Sequence, residues 1–316
     1  MARNPYSVID LYLKNPNISN KELRKQTGYS KRHIRRLLAP YRNTSEYQKS
    51  YDPDQKRLPK ILLLDIETAL ALAWCWGPSY NTNILPSDIK EQWHIICFAA
   101  KWLLDGDIFG VSITSEEAIN RDDRRVVKAL WNLMEEADII IAQNGDKFDI
   151  RKINARLLTH GYGPPAPFQT IDTLKQSKKI QSPGSHKLDE LAKQFKLPRK
   201  KSTGHQLWED CSAGDQEALD YMFEYCKQDI DTLEAVYLYI RPWMRSHPTL
   251  SLYCDNDTLI CEHCMSEALE TDIGYYTTMA SRFPAYRCKN CGAINRGRFT
   301  SVSKEKRKKF IISTAR

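Results

Sequence analysis

Four acids, one tyrosine and four cysteines carry most of the chemistry this chain could do. Asp65 and Glu67 close the run Ile61-Leu62-Leu63-Leu64-Asp65-Ile66-Glu67-Thr68. Residues two apart on a strand point to one face, so both carboxylates would share a face at the end of an apolar strand. Buried there, like charges repel and each costs roughly several kcal/mol to desolvate unless a cation neutralises it. A divalent metal site removes that objection; a frayed strand end in water is the plainer alternative. Asp149 closes Gln143-Asn144-Gly145-Asp146-Lys147-Phe148-Asp149 and would open a helix. Helix starts favour negative charge, so capping alone could account for it. Tyr225 and Asp229 are four apart in Tyr225-Cys226-Lys227-Gln228-Asp229 and would share one helix face. Cys261-Glu262-His263-Cys264 and Cys288-Lys289-Asn290-Cys291 form two C-x2-C knuckles with 23 residues between them. Four thiolates so paired suit a tetrahedral zinc. The gap exceeds the common spacing and implies an inserted hairpin. With four Cys ligands no coordination position stays open, so this zinc would be structural. Cys254 and His263 are substitute ligands, and Cys75, Cys97, Cys211 and Cys226 read as packing residues.

These side chains need a scaffold. Ile61–Thr68 reads as a central buried strand, because its apolar run is near-continuous. His94–Leu103 and Ile108–Thr114 read as two further strands around Asp105-Gly106-Asp107, and Asp138–Ala142 as another buried strand. Helices are expected at Arg124–Ala137, Ile150–His160, Lys187–Phe195 and Gln216–Tyr239. Strands, a helix, a strand and then helices spell a mixed α/β layer fold. No run approaches the ~18 apolar residues of a membrane helix. The opening Met1-Ala2-Arg3-Asn4-Pro5-Tyr6 lacks an apolar signal region, so a cytoplasmic location and reduced cysteines are expected.

Charge is unevenly spread. Residues 1–60 hold 14 Lys/Arg against 5 Asp/Glu, residues 61–244 hold 21 against 27, and residues 245–316 hold 12 against 7. Basic ends around an acidic middle fit a polyanion held by the flanks. Near the N-terminus a helix from Ser7 to Lys14 precedes the capping box Ser19-Asn20-Lys21-Glu22, which starts a second helix ended by Gly28. Ser30 would cap a third helix through Leu38, with Ile34, Leu37 and Leu38 as its apolar stripe and Leu23 apposed. Residues 41–59 are almost free of aliphatics and read as a linker, so the N-terminal helices are expected to be tethered.

Ile18–Leu38 resembles the helix-turn-helix family. That resemblance implies DNA contact by Lys31, Arg32 and Arg35 at base edges, with Arg36 nearer phosphate. Arg24 stands where the family often has a small residue; a three-helix protein-docking domain is the alternative. Asp-x-Glu on a strand, Asn-x4-Asp entering a helix and Tyr-x3-Asp on a late helix resemble the tyrosine branch of the DEDD 3′–5′ exonucleases. The likeness covers about residues 60–240, and Ser185-His186-Lys187-Leu188-Asp189-Glu190-Leu191 looks like the matching segment of family B polymerase exonuclease domains. The resemblance implies a ribonuclease H-like fold with two Mg²⁺ or Mn²⁺ ions on Asp65, Glu67, Asp149 and Asp229. It further implies that Tyr225 positions the attacking water, that Asn144 supports the substrate end, and that Lys187 touches phosphate. The expected organisation is a helix-turn-helix domain (1–40), linker (41–59), exonuclease domain (60–245), zinc ribbon (246–300) and basic tail (301–316). The expected function is hydrolysis at DNA 3′ ends, with a single strand in the site, duplex at the helix-turn-helix, and replication or repair proteins as further partners. An RNA 3′-trimming exonuclease and a DNA-binding regulator with an inactive nuclease fold are the competing readings.

Overall fold

Ile61–Thr68 (β1) is buried along its first four residues. That burial requires cover on both sides of the sheet. In the computed structural model, residues 11, 15, 18–32, 34, 58–75, 84–103, 106–197, 204–253 and 258–311 are described. They divide into two units, the first comprising residues 1–52, 60–178 and 182–236, the second residues 53–59, 179–181 and 237–316.

In the first unit β1 pairs antiparallel with β2 (Ile95–Trp102), which pairs antiparallel with β3 (Ile108–Ser112). On its other edge β1 runs parallel to β4 (Ile139–Ala142), and β4 runs parallel to β5 (Gln169–Asp172). The sheet order is β3-β2-β1-β4-β5. Asp65 lies opposite Ala99 and Glu67 opposite Cys97, and the register slips between Glu67 and Thr68. Such a bulge re-aims side chains at a strand end. The stripe Val126, Val127, Leu130, Trp131 and Met134 buries one face of Arg124–Met134, here α2. Asp149–Thr159 (α3), Thr173–Ile180 (α4), Leu188–Gln194 (α5) and Gln206–Ser212 (α6) follow, then the 25-residue Gln216–Ile240 (α7). The strands and helices expected in this unit from Ile61 onward are present with ends displaced by up to a few residues; β5, α4 and α6 were not anticipated. Among the described residues no helix is long and apolar enough to cross a membrane.

The N-terminal segment departs from its expected tethering. Ser19 caps Asn20–Thr27 (α1) by accepting from the Glu22 N–H at 3.1 Å, and Gly28 ends it at φ 69°. The reciprocal half of the capping box is replaced, because Glu22 accepts from Gln26 Nε2. Leu23 and Ile34 are buried. Tyr29 then meets Trp131 of α2 edge-on, with ring centroids 5.9 Å apart. Ser30 Oγ donates to Glu135 Oε2 at 3.3 Å, and Arg32 pairs with Asp138 at 3.4 Å. The segment is therefore docked within the first unit: aromatic burial and two polar contacts hold it. The helix from Ser7 to Lys14 (except Leu11), Arg35, Arg36, Leu37, Leu38, and the linker apart from Leu58 and Pro59 lie outside the described residues.

The second unit contains a small sheet. Arg282–Cys288 (β8) pairs with Leu269–Glu270 (β6), Tyr275–Thr277 (β7) and Ile294–Arg296 (β9), all antiparallel. The hairpin expected between the cysteine knuckles is thus β6, β7 and β8. Cys261, Cys288 and Ala293 form a small core, with Leu269 against it. That cluster is small, and its apolar burial alone contributes little stability around the cysteines.

Candidate active site and metal centres

The acidic cluster forms where three elements converge. Bulged β1 presents Asp65 and Glu67, and α7 presents Asp229; ligand oxygens of the three lie within 4.8 Å of one another. Asp149, at the first position of α3, is buried beside them. Besides standing in the first turn of α3, its Oδ1 accepts from the Ile66 N–H on β1 at 3.3 Å. Burial pushes the Asp65 carboxyl well above the ordinary range, and the charges of Asp149, Glu67 and Asp229 push it further. Burial likewise raises Asp149 to about 7, with Asp172 adding to the effect against the restraining N–H donors. Four acids are therefore mutually sensed, three of them close enough to share one ion. Carboxylates pressed together in low dielectric favour a divalent cation with oxygen ligands, so the residues present fit magnesium or manganese.

Asp65 and Asp229 open into a cleft of about 640 Å³, lined also by Gln143, Asn144, Lys178, His186 and Lys187. The predicted substrate residues Asn144 and Lys187 are thus beside the acids. Asn144 sits at φ 62°, a left-handed conformation that Asn tolerates better than most residues. Its N–H donates to Asp172 Oδ1 at 3.1 Å, which pins the loop after β4. A side chain at Gly145 would press on Ala142, its Cβ only 2.5 Å away. Gln143 Nε2 donates to the His186 carbonyl, and His186 Nδ1 bonds Ser177 Oγ at 2.8 Å. Tyr225 is buried on the same helix as Asp229, four residues before it. It also lines a hollow with Glu217, Asp220, Tyr221, Glu224 and Gln228. Trp208 stands edge-on to its ring at 6.5 Å.

Sequence reasoning missed Gln143, Lys178, His186, Asp172 and Cys226. Cys226, read as packing, donates to Asp65 Oδ2 at 3.4 Å and to its backbone oxygen at 3.6 Å. The available signal was its position three residues before Asp229, one turn along the same helix face. Lys31 is exposed, whereas Arg32, expected at base edges, faces Asp138.

In the second unit the sulfurs of Cys261, Cys264, Cys288 and Cys291 lie within 4.8 Å of one another. Cys261 and Cys291 Sγ are 3.6 Å apart, as are those of Cys264 and Cys288. Zinc–sulfur bonds of ~2.3 Å in a tetrahedron require sulfurs ~3.8 Å apart, so the set fits zinc. Asn295 Nδ2 donates to Cys261 Sγ, Asn290 Nδ2 to Cys264 Sγ, and the Cys291 N–H to Cys288 Sγ. Such donors stabilise thiolate and orient ligands.

The RNase_H superfamily model matches residues 91–241 of this chain. The five-stranded mixed sheet with its flanking helices is accordingly a ribonuclease H-like nuclease fold. Solved structures that match include the family B DNA polymerase of the hyperthermophilic archaeon Pyrobaculum calidifontis, at 16% identity and a TM-score of 0.44. The match covers 62% of this chain and 27% of the polymerase chain. No curated protein matches.

Proposed function

We propose that the chain is a metal-dependent 3′–5′ exonuclease that hydrolyses phosphodiester bonds at DNA 3′ ends. The observation that carries this reading is the Asp65–Glu67–Asp229 cluster, its oxygens within 4.8 Å, at a cleft shared with Asn144 and Lys187. Asp65, Glu67 and Asp229 would hold divalent ions, with Asp149 beside them. Two Mg²⁺ or Mn²⁺ ions held there would lower the pKa of a bound water and neutralise phosphate charge. Lys178 and Lys187 provide positive charge for the phosphates of the entering strand. Asn144, fixed by Asp172, offers a polar side chain where the terminal nucleotide seats. Cys226 holds Asp65 from below through its thiol. Tyr225, on the same helix as Asp229, is assigned to orient the attacking water.

The flanks deliver DNA. Lys31 is exposed for phosphate contact, and Arg32, Arg35 and Arg36 extend the same basic segment. Arg32 would exchange Asp138 for DNA. The four cysteines hold one structural zinc. The test is incubation of the purified chain with 5′-labelled single-stranded DNA, duplex DNA and RNA, with Mg²⁺ or Mn²⁺, beside an Asp229→Asn control. A ladder shortening from the 3′ end of DNA, absent in the control, is expected. Intact substrates throughout would refute the activity, and a ladder on RNA alone would refute the choice of DNA.

A further inference from the structure

The second unit carries a surface that its four cysteines do not explain. Residues opposite each other in an antiparallel pair point to the same side of the sheet. Phe283 lies opposite Tyr276, Ala285 opposite Arg296 and Arg287 opposite Ile294. Phe283, Ala285 and Arg287 alternate along β8, so all six residues share one face. Cys288, Tyr286 and Asn295 occupy the other face, where Asn295 reaches Cys261 Sγ at 3.5 Å. The face turned from the cysteines is thus an outer face. It is built from two rings, two guanidiniums and an isoleucine around a small alanine.

Four of the six residues are exposed, Phe283 is half-buried and Ala285 is buried. Tyr276 is 52% and Ile294 49% exposed. The Arg296 guanidinium lies 4.6 Å from the Phe283 ring centre and 5.6 Å from that of Tyr276. Arg287 also answers Glu270 at 3.9 Å, the acid at the edge of this face. Charge is segregated along the unit. Residues 258–280 contain four acids and no Lys or Arg; residues 281–311 contain ten Lys/Arg and one acid, Glu305. Exposed rings interleaved with guanidiniums, in a strongly basic stretch, suit a ligand with both flat π-faces and negative charge.

We infer that this outer face, centred on Tyr276, Phe283 and Arg296, binds single-stranded nucleic acid. Bases stack on the rings and the guanidinium plane, and phosphates meet the basic stretch. A duplex is a poor occupant, because its bases already stack on one another. The inference rests on the nuclease reading only for why a single strand should be at hand.

The experiment uses the full chain with Asp229→Asn, so that bound strands survive, and measures anisotropy of labelled oligo-dT, oligo-rU and a DNA duplex. Tyr276→Ser with Arg296→Gln is expected to weaken single-strand binding at least about tenfold, the order of one lost stacking contact, while zinc content and melting temperature stay put. Tyr276→Trp, which keeps a ring, is expected to retain the affinity. Loss with oligo-dT alone assigns the face to DNA, and loss with both oligonucleotides assigns it to single strands generally. Unchanged single-strand affinity, or an equal loss on duplex, overturns the inference. Cleavage by the chain with Asp229 intact separates the two ideas. No cleavage with a tenfold binding loss removes the nuclease and keeps the surface; normal cleavage with unmoved binding does the reverse.

Discussion

Asp65→Asn should abolish the proposed cleavage and, without divalent metal, make the protein more stable. Asp65 is half-buried at the cleft, and its carboxyl is pushed well up by desolvation and then by Asp149, Glu67 and Asp229. Its ligand oxygen is within 4.8 Å of those of Glu67 and Asp229. At an effective dielectric of ~20, each like-charged pair at that distance costs about 3 kcal/mol. Partial protonation relieves some of this, so a net gain of ~1–3 kcal/mol is expected on removing the charge. Asn keeps an oxygen acceptor for the Cys226 thiol, so the fold should tolerate it. A gain of that size raises the melting temperature by roughly 2–4 °C per kcal/mol. The sign with pH follows from the direction of the shift. Because the folded-state pKa is raised, the unfolded chain releases its proton first. Ionisation therefore costs stability as pH rises above the ordinary value of 3.8 until the folded-state carboxyl itself ionises. The advantage of the variant should grow over that span and vanish below it. The assay is differential scanning calorimetry of both proteins in magnesium-free buffer and with millimolar magnesium, zinc content held equal. Added metal should raise the parent by RT ln(1 + [L]/Kd), about 2.7 kcal/mol at 100 Kd, and leave the variant nearly unmoved. A variant less stable than its parent in metal-free buffer, yet still cleaving, would refute the metal site.

Three further outcomes are expected. Cys264→Ser removes one of four sulfurs and should abolish the single equivalent of bound zinc; since structural zinc supplies ~10–16 kcal/mol of folding free energy in small domains, the second unit should become protease-sensitive, and full zinc retention would count against the centre. His94 is buried and its pKa is lowered to about 4, chiefly by burial and then by Arg121. The unfolded chain therefore takes up the proton first, and stability should fall by up to ~3 kcal/mol between pH 6.5 and 4; His94→Leu should flatten that part of the denaturation profile, and an unchanged slope would sink the assignment. Tyr29→Ala removes the ring against Trp131 and should weaken docking of α1 by ~2–4 kcal/mol, seen as faster limited proteolysis between residues 20 and 32, whereas equal cleavage rates would refute the docked arrangement.

The sequence made the site's frame readable where side-chain pattern and structure share a cause. Ile61–Leu64 had to be buried on both faces, so β1 and the common face of Asp65 and Glu67 followed. β5 was hidden because only Ile171 and Asp172 of its four residues are buried. α4 was hidden for a different reason: its buried face is Thr173, Gln176 and Ser177, so the usual apolar stripe is polar. The roles of Asp149 and Cys226 depend on partners more than eighty residues away, and no local spacing reports them. Helical periodicity put Tyr225 and Asp229 on one helix, and α7 carries both. The N-terminal docking was missed because Tyr29 has no local partner; Trp131 lies over a hundred residues on.

The acids that meet at the cleft enter the chain far apart: Asp149 follows Asp65 by 84 residues, and Asp229 follows Asp149 by 80. Nothing shorter than the span from β1 to α7 can assemble them, and closing such loops carries an entropic cost that only the finished sheet repays. A growing polypeptide would therefore be harmless to the nucleic acid around it until α7 had been made and seated. The proposed hydrolytic capacity would arrive only with α7, and a chain stopped before residue 216 should take up no magnesium at this site.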